Sequence, residues 1–218
     1  MLESSKHAFW EALIITVAVF ALGIFIGIAY ENANANKINS FYSSSEISLI
    51  DSLALNNVFQ SNAVTCDAFI NSSIDFADRI YQEAYTLEQY ESAGKLTDSL
   101  RLAHTRYDLL RTLLWADMMQ IPDKCKTNLS TVVYLYQYDT QDLNQKAEQS
   151  VWSQTLFDLK QQQGNHIILI PIAVDSNLSS LNSLTNSFNI TKYPVVIIDN
   201  NYVLYNITSA NNLATYLK

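Results

Sequence analysis

Cys66 and Cys125 are the only cysteines of the 218-residue chain, and a thiol pair is the most reactive couple it carries. Thiol-disulfide chemistry ordinarily uses C-x-x-C, where the local environment lowers a thiol pKa and a partner sulfur is close. Cys66 and Cys125 are too far apart in sequence for that motif. His7, His104 and His166 fall in three different segments, none with a neighbouring group to complete a metal site or orient a general base. Two cysteines and three scattered histidines do not make a Cys/His zinc site. No nucleophile elbow, P-loop or dinucleotide fingerprint is present. The expectation is no catalytic residue, no cofactor and no bound metal.

The composition narrows the classes further. Thirteen Lys+Arg against 21 Asp+Glu give a net charge of −8, with no electrostatic footprint for nucleic acid. Charged residues make up 16%, against about 25% in an average soluble chain. Four glycines and three prolines exclude collagen-like or linker-like chains, and disfavour a turn-rich all-β protein. A helix-rich or α/β chain of one or two modest domains remains.

Ala12 to Tyr30 reads ALIITVAVFALGIFIGIAY, without a charge. At 1.5 Å per residue this helix is about 28 Å long, close to the hydrocarbon thickness of a bilayer. Phe9, Trp10 and Tyr30 sit at its ends, as in an interfacial aromatic belt. A cleaved signal peptide is the competing reading, with Ala33-Asn34-Ala35 as its cleavage site. Its apolar region is usually about 7–15 residues, shorter than this run. The expected layout is a cytoplasmic tail over 1–10 and a single membrane span over 11–30. Lys6 before the span and Lys37 with Glu31 after it give a slight preference for a cytoplasmic N-terminus and an exported remainder. Gly23 and Gly27 form G-x-x-x-G, which allows two spans to approach closely in a homodimer or complex.

Residues 31–65 are Asn/Ser-rich and then partly amphipathic through Ile47, Ile50, Leu53, Val58 and Phe59, predicting a juxtamembrane linker and helix. Cys66, Ile70, Ser73, Ala77, Ile80, Ala84 and Leu87 then step by 4 and 3. After a break at Glu91–Lys95, Leu96, Leu100, Ala103, Tyr107, Leu110 and Leu114 repeat that spacing, continued by Met118 and Ile121. These are heptad stripes of two helices packed along one seam. Gly94 suits the end of the first helix, and Pro122 limits the second. An antiparallel hairpin over 66–125 brings Cys66 and Cys125 to the same end. They form either a disulfide there or two buried free thiols. A disulfide would close a loop of about 60 residues, stabilising by about 4 kcal/mol, and would fit an oxidising compartment.

From residue 129 onward the pattern changes. Thr131–Tyr138 is a strand by its β-branched and aromatic content. A helix carrying Ala147, Val151, Trp152, Leu156 and Leu159 ends near Gly164. Ile167–Val174 is a continuous apolar run, as expected of a buried parallel strand, with Pro171 as a local irregularity. Leu178, Leu181, Leu184 and Phe188 mark a short helix. Val195–Asp199 and Tyr202–Tyr205 are strands joined by a turn at Asn200-Asn201. Ser209 can cap a last helix with Leu213 and Leu217 on its inner face.

The β-α-β-α-β-β-α order over 129–218, with Phe188-Asn-Ile-Thr-Lys-Tyr-Pro-Val-Val-Ile-Ile-Asp-Asn-Asn201 leading into the third strand, resembles the thioredoxin-like fold. The resemblance implies a cis-proline at Pro194 and a peptide-binding surface beside Tyr193 and Pro194. It also implies C-x-x-C after the first strand, where this chain has Tyr138-Asp-Thr-Gln-Asp-Leu-Asn144. Asp139 and Asp142 there read as helix-start residues favoured by the dipole. The whole layout is similar to single-span membrane-anchored proteins of archaea and candidate-phylum bacteria that end in a thioredoxin-like domain.

Other patterns have plain explanations. Asn71, Asn128, Asn177, Asn189 and Asn206 lie in Asn-x-Ser/Thr sequons, a number not far above what composition alone yields. Asp75, Asp78, Glu83, Glu88 and Glu91 form a solvated acidic helix face. Tyr134, Tyr136, Tyr138, Tyr193, Tyr202 and Tyr205 follow strand propensity, with an aromatic rim beside Pro194 as the functional alternative. The expected protein is an α/β, redox-inactive thioredoxin-like domain behind a membrane anchor and a disulfide-closed helical hairpin. It would act as a protein-binding or structural module, with the lipid bilayer and an unidentified protein as partners. The alternatives are a thiol-disulfide oxidoreductase or chaperone using Cys66 and Cys125, and an accessory subunit of a secretion or glycosylation complex.

Overall fold

A computed structural model describes the backbone of residues 2–61, 64–92, 98–121, 125 and 127–218, with side chains except at 2–8, 31–42, 45, 86–92 and 98–100. Gly94, Leu96 and Pro122, and the side chains of Lys6, His7, Lys37, Leu87 and Leu100, lie outside the described residues. The chain divides into two compact units, Met1–Ser44 and Ser45–Lys218.

The first unit is helical and belongs to helix α1 (Leu2–Gln60). Within it, Phe9–Tyr30 has a mean hydropathy of 2.8 and is long and apolar enough to cross a membrane. Its large side chains, from Phe9 and Trp10 to Phe25 and Tyr30, are exposed. The backbone is helical from Leu2 to Gln60, through the residues read as a tail (1–10) and most of those read as a juxtamembrane linker and helix (31–65). The stretch between Gly27 and Gly94 contains neither Gly nor Pro, so no residue there strongly breaks a helix.

In the second unit the last turns of α1 meet α2 (Cys66–Ser92) and α3 (Asp98–Met118). Polar contacts join α1 to α3 and to the residues just beyond it. Ser52 Oγ and Asn56 Nδ2 donate to the Asp117 carboxylate, Gln60 Nε2 donates to Gln120 Oε1, and Glu46 pairs with Arg106 at 3.2 Å. Partner numbers rise together, so residues 46–60 of α1 run parallel to α3. Phe59 stacks on Phe69 of α2 at 4.1 Å between ring centroids.

The buried line of α2 is Phe69, Ser73, Phe76 and Ile80, while Cys66, Ile70, Ala77 and Ala84 are half-buried. The expected stripe is therefore rotated toward the phenylalanines, because α2 packs against α1 and a strand as well as against α3. On α3 the stripe Ala103, Tyr107, Leu110, Leu114, Met118 and Ile121 is buried as the spacing predicts. Asp108, Thr112, Trp115 and Asp117 are buried too, a wider face than one helix–helix seam requires.

That width is explained by the sheet. Strands β1 (Ser130–Tyr136), β2 (Ile167–Ala173), β3 (Val195–Ile198) and β4 (Tyr202–Leu204) pair in the order β2-β1-β3-β4. The β1–β2 pair is parallel; β1–β3 and β3–β4 are antiparallel. Helix α4 (Leu143–Gln163) connects β1 to β2, α5 (Ser179–Ser187) connects β2 to β3, and α6 (Ala210–Ala214) follows β4. Side chains alternate across the pleat. Val132, Tyr134, Ile167, Val196 and Ile198 pack with Trp152, Leu156 and Leu159 of α4 and with Ala210 and Leu213 of α6. Val133, Leu135, Ile168, Ile170, Val195 and Ile197 face the other way, where α3 lies on β1 and β2. The hairpin over 66–125 and the region over 129–218, read separately in the sequence, are thus parts of one compact unit.

The β3–β4 turn is displaced by one residue from the expected Asn200-Asn201. Positive φ values fall on Asp199 (48°) and Asn200 (58°), and Asn201 N–H donates to Ile198 O at 3.0 Å. The two successive positive φ values make a tight turn, and residues 199–201 carry the chain from Ile198 to its partner Tyr202. Asp199 takes the first central position because its carboxylate accepts from Ser130 Oγ (2.9 Å) and Thr131 N–H (2.8 Å).

Candidate functional site

The Tyr193–Pro194 peptide is cis and leads directly into β3. Pro194 is buried and Tyr193 half-buried. The start of α4 faces this peptide. Asp142 is the N-cap residue, its Oδ1 accepting from Asn144 N–H (2.8 Å) and Gln145 N–H (3.4 Å), as an acidic residue at a helix start should. Asp139 instead precedes the helix and pairs with Arg101 of α3 at 3.4 Å.

Glutamine side chains link the two elements. Gln145 Nε2 donates to Tyr193 O (3.1 Å) and to Gln137 Oε1 (2.6 Å), while Thr140 Oγ1 donates to Gln145 Oε1. Gln149 accepts from Gln137 N–H (2.9 Å) and donates to Gln137 O (3.0 Å). Asp175 accepts from Tyr138 N–H (2.9 Å) and Asp139 N–H (2.7 Å), and His104 of α3 packs on the Tyr138 ring at 4.4 Å. The β1–α4 loop is thereby pinned from α3, α4 and the end of β2. Carboxamides hold geometry without titrating, so the three glutamines serve to orient the backbone of this loop.

The structure brings Tyr193 and Pro194 beside the Tyr138–Asn144 segment. Gln137, Gln145, Gln149 and Asp175, which make the junction, were not singled out by sequence reasoning. Their only sequence signal is the i,i+4 spacing of Gln145 and Gln149 at a helix start. The expected tyrosine rim is smaller than predicted. Tyr134 is buried, donating its hydroxyl to Gln149 O (3.1 Å), and stacks on Tyr136 at 5.4 Å. Tyr202 pairs with Ile198, at the end of β3 remote from Pro194, whereas Tyr205 follows Leu204 toward the Pro194 end. Lys192 Nζ lies over the Tyr205 ring at 4.9 Å.

Cys66 and Cys125 are joined, with S–S 1.93 Å and Cα–Cα 5.7 Å. The bond ties the start of α2 to the segment beyond α3, where Cys125 N–H donates to Ile121 O at 2.9 Å. His166 is exposed in the turn after α4, and His104 is half-buried on Tyr138. Gly23 and Gly27 have open space where a side chain would stand. Among the described residues, no three His, Cys, Asp or Glu side chains are grouped to hold a metal ion.

Two further ionisable groups are perturbed. Burial raises the Asp108 carboxyl to about 6, against the opposing pull of Arg111 and of the Ala173 N–H it accepts at 3.0 Å. Burial likewise raises Asp117 to about 6, against its bonds from Asn56 and Ser52. Both lie on α3 within its joints to the sheet and to α1, a structural setting that perturbs carboxylates as effectively as an active site does. Compared with protein-family models and with curated proteins, the chain matches none.

Proposed function

We propose that the chain is a membrane-anchored protein whose exported region, a redox-inactive thioredoxin-like domain braced by the helical layer, serves as a protein-binding or structural module of an envelope assembly. The observation that carries this reading is the glutamine junction. Gln145 binds the carbonyl of the cis Tyr193–Pro194 peptide at the helix start where the resemblance calls for a thiol pair. The two cysteines of the chain are spent on a disulfide elsewhere. Half-buried Tyr193 beside Pro194 suits contact with an extended peptide or a partner loop.

The apolar Phe9–Tyr30 helix supports a single span, and the disulfide supports an oxidising side for the second unit. The open space at Gly23 and Gly27 suits close approach of a second span. One set of measurements on the full-length protein in membranes tests the reading. Alkaline carbonate should leave the protein in the pellet, and protease added from the outer side should remove the second unit. Insulin reduction should stay at background. Crosslinking should capture a partner with the wild type and not with Tyr193→Ala. Capture unchanged by Tyr193→Ala would remove that surface from the proposal. Insulin turnover abolished by Cys66→Ser would replace it with a thiol enzyme.

A further inference from the structure

The two edges of the sheet are blunted differently: β2 by the groups that take up its backbone, β4 by its length of three residues and by Lys192 over Tyr205. On β2, Pro171 has no N–H to offer, Ala173 N–H is taken by Asp108, and Ile167 O accepts from Lys160 Nζ at 2.9 Å. Such devices keep an edge from pairing with foreign strands. At the opposite edge, β4 borders only β3 in the sheet order, and Tyr202-Val-Leu-Tyr205 contains neither a charge nor a proline. Tyr202 is 47% exposed and Ile207 42%. Immediately after this edge comes the sequon Asn206-Ile207-Thr208, with Asn206 exposed.

We infer that Asn206 is an N-glycosylation acceptor whose glycan shields the β4 edge; this rests on the proposed export of the second unit. The other four sequon asparagines are exposed as well, but their positions explain them differently. Asn177 (φ 56°) and Asn189 (φ 53°) adopt the left-handed backbone that favours Asn. Asn71 is within α2, and Asn128 directly precedes buried Leu129 and Ser130 at the start of β1. Asn206 has no positive φ to account for it and stands beside the β4 edge. In the transfer, Nδ2 of Asn206 bonds to the anomeric carbon of an oligosaccharide carried on a polyprenyl diphosphate. The sugar–phosphate bond breaks, the polyprenyl diphosphate leaves with its electron pair, and the amide gives up one proton.

The test is full-length protein made in cells whose envelope carries N-glycosylation machinery, read by peptide mass mapping, with protease access from the outer side measured on the same membranes. Wild type and Thr208→Ser should carry a glycan mass on the Asn206 peptide, while Asn206→Gln and Thr208→Ala should lose it completely. An unmodified Asn206 on an outward-facing second unit overturns the inference and leaves the anchor reading standing. A second unit protected from outside protease overturns both. A glycan restricted to Asn71, Asn128, Asn177 or Asn189 also overturns it.

Discussion

The two faces of the sheet differ in the polar ties that accompany their apolar packing. On the α4–α6 face, Trp152, Leu156, Leu159 and Leu213 close an apolar layer over Val132, Ile167, Val196 and Ile198, and Trp152 Nε1 has no hydrogen-bond partner among the described residues. On the α3 face apolar packing is joined by specific polar ties. Asp108 accepts from the β2 backbone, and Trp115 Nε1 donates to Asn200 Oδ1 at 2.9 Å while its ring stacks on Phe188. Apolar burial is non-directional and stabilises many arrangements alike. A buried hydrogen bond has one geometry and is costly to leave unmade. The difference teaches that α4 and α6 rest mainly on apolar burial, with part-buried ties from Tyr134 and Lys160, whereas α3 is also keyed to the sheet through the buried Asp108. That keying suits a layer holding the β1–α4 loop through His104 and Arg101.

The largest effect should come from the covalent tie of the helical layer. Replacing both Cys66 and Cys125 with Ser should lower the unfolding free energy by about 4 kcal/mol, from the entropy of a loop of about 60 residues. Urea unfolding gives the number, and amide exchange should rise in α2 and α3 more than in α4. Equal loss of protection in all three would break the contrast between the faces. Next, Leu156→Ala in the apolar layer should cost about 2–5 kcal/mol, through lost transfer energy and a cavity. A cost below that range would mean the layer collapses to fill the gap.

The third test uses pH. Asp117, with its folded-state pKa at about 6 against an ordinary 3.8, binds its proton more tightly folded than unfolded. Its contribution is fully present below about pH 4 and is lost as pH rises through about 6, a change on the order of 3 kcal/mol. Asp108 contributes with the same sign. Unfolding midpoints at pH 4.5 and pH 7 should differ less in Asp117→Asn than in the wild type. An identical difference in the two proteins would show that Asp117 is not strained by burial. The smallest effect is expected from Asn200→Gly, which keeps the positive φ allowed and removes the acceptor of Trp115. It should cost about 1–3 kcal/mol, the penalty of a buried donor left unpaired, read by urea unfolding.

Much of the local structure was legible. The apolar run from Ala12 to Tyr30, the stripe from Ala103 to Ile121, and the strand content around Val132, Ile168 and Val196 follow from side-chain periodicity, which acts within one element. The meeting of Cys66 and Cys125 followed from two stripes of nearly equal length. The α2 stripe was misplaced because Phe69 and Phe76 face partners that periodicity cannot see. The turn was misplaced by one residue because Asp199 answers to Ser130 and Thr131, far away in sequence. The candidate site suffered most. Pro194 stood out through a resemblance, but Gln137, Gln145 and Gln149 are ordinary polar residues until folding aligns them.

By itself the sequence determined an apolar N-terminal helix, a helical middle and a strand-rich end, since hydrophobic period and turn chemistry are local properties. Only the tertiary structure decided that α3 belongs to the sheet, that Asp108 and Asp117 are buried, and that Gln145 meets Tyr193. Those outcomes depend on which surfaces touch. A carboxylate or carboxamide acquires its role from the donors and acceptors brought to it, and these come from segments far apart along the chain.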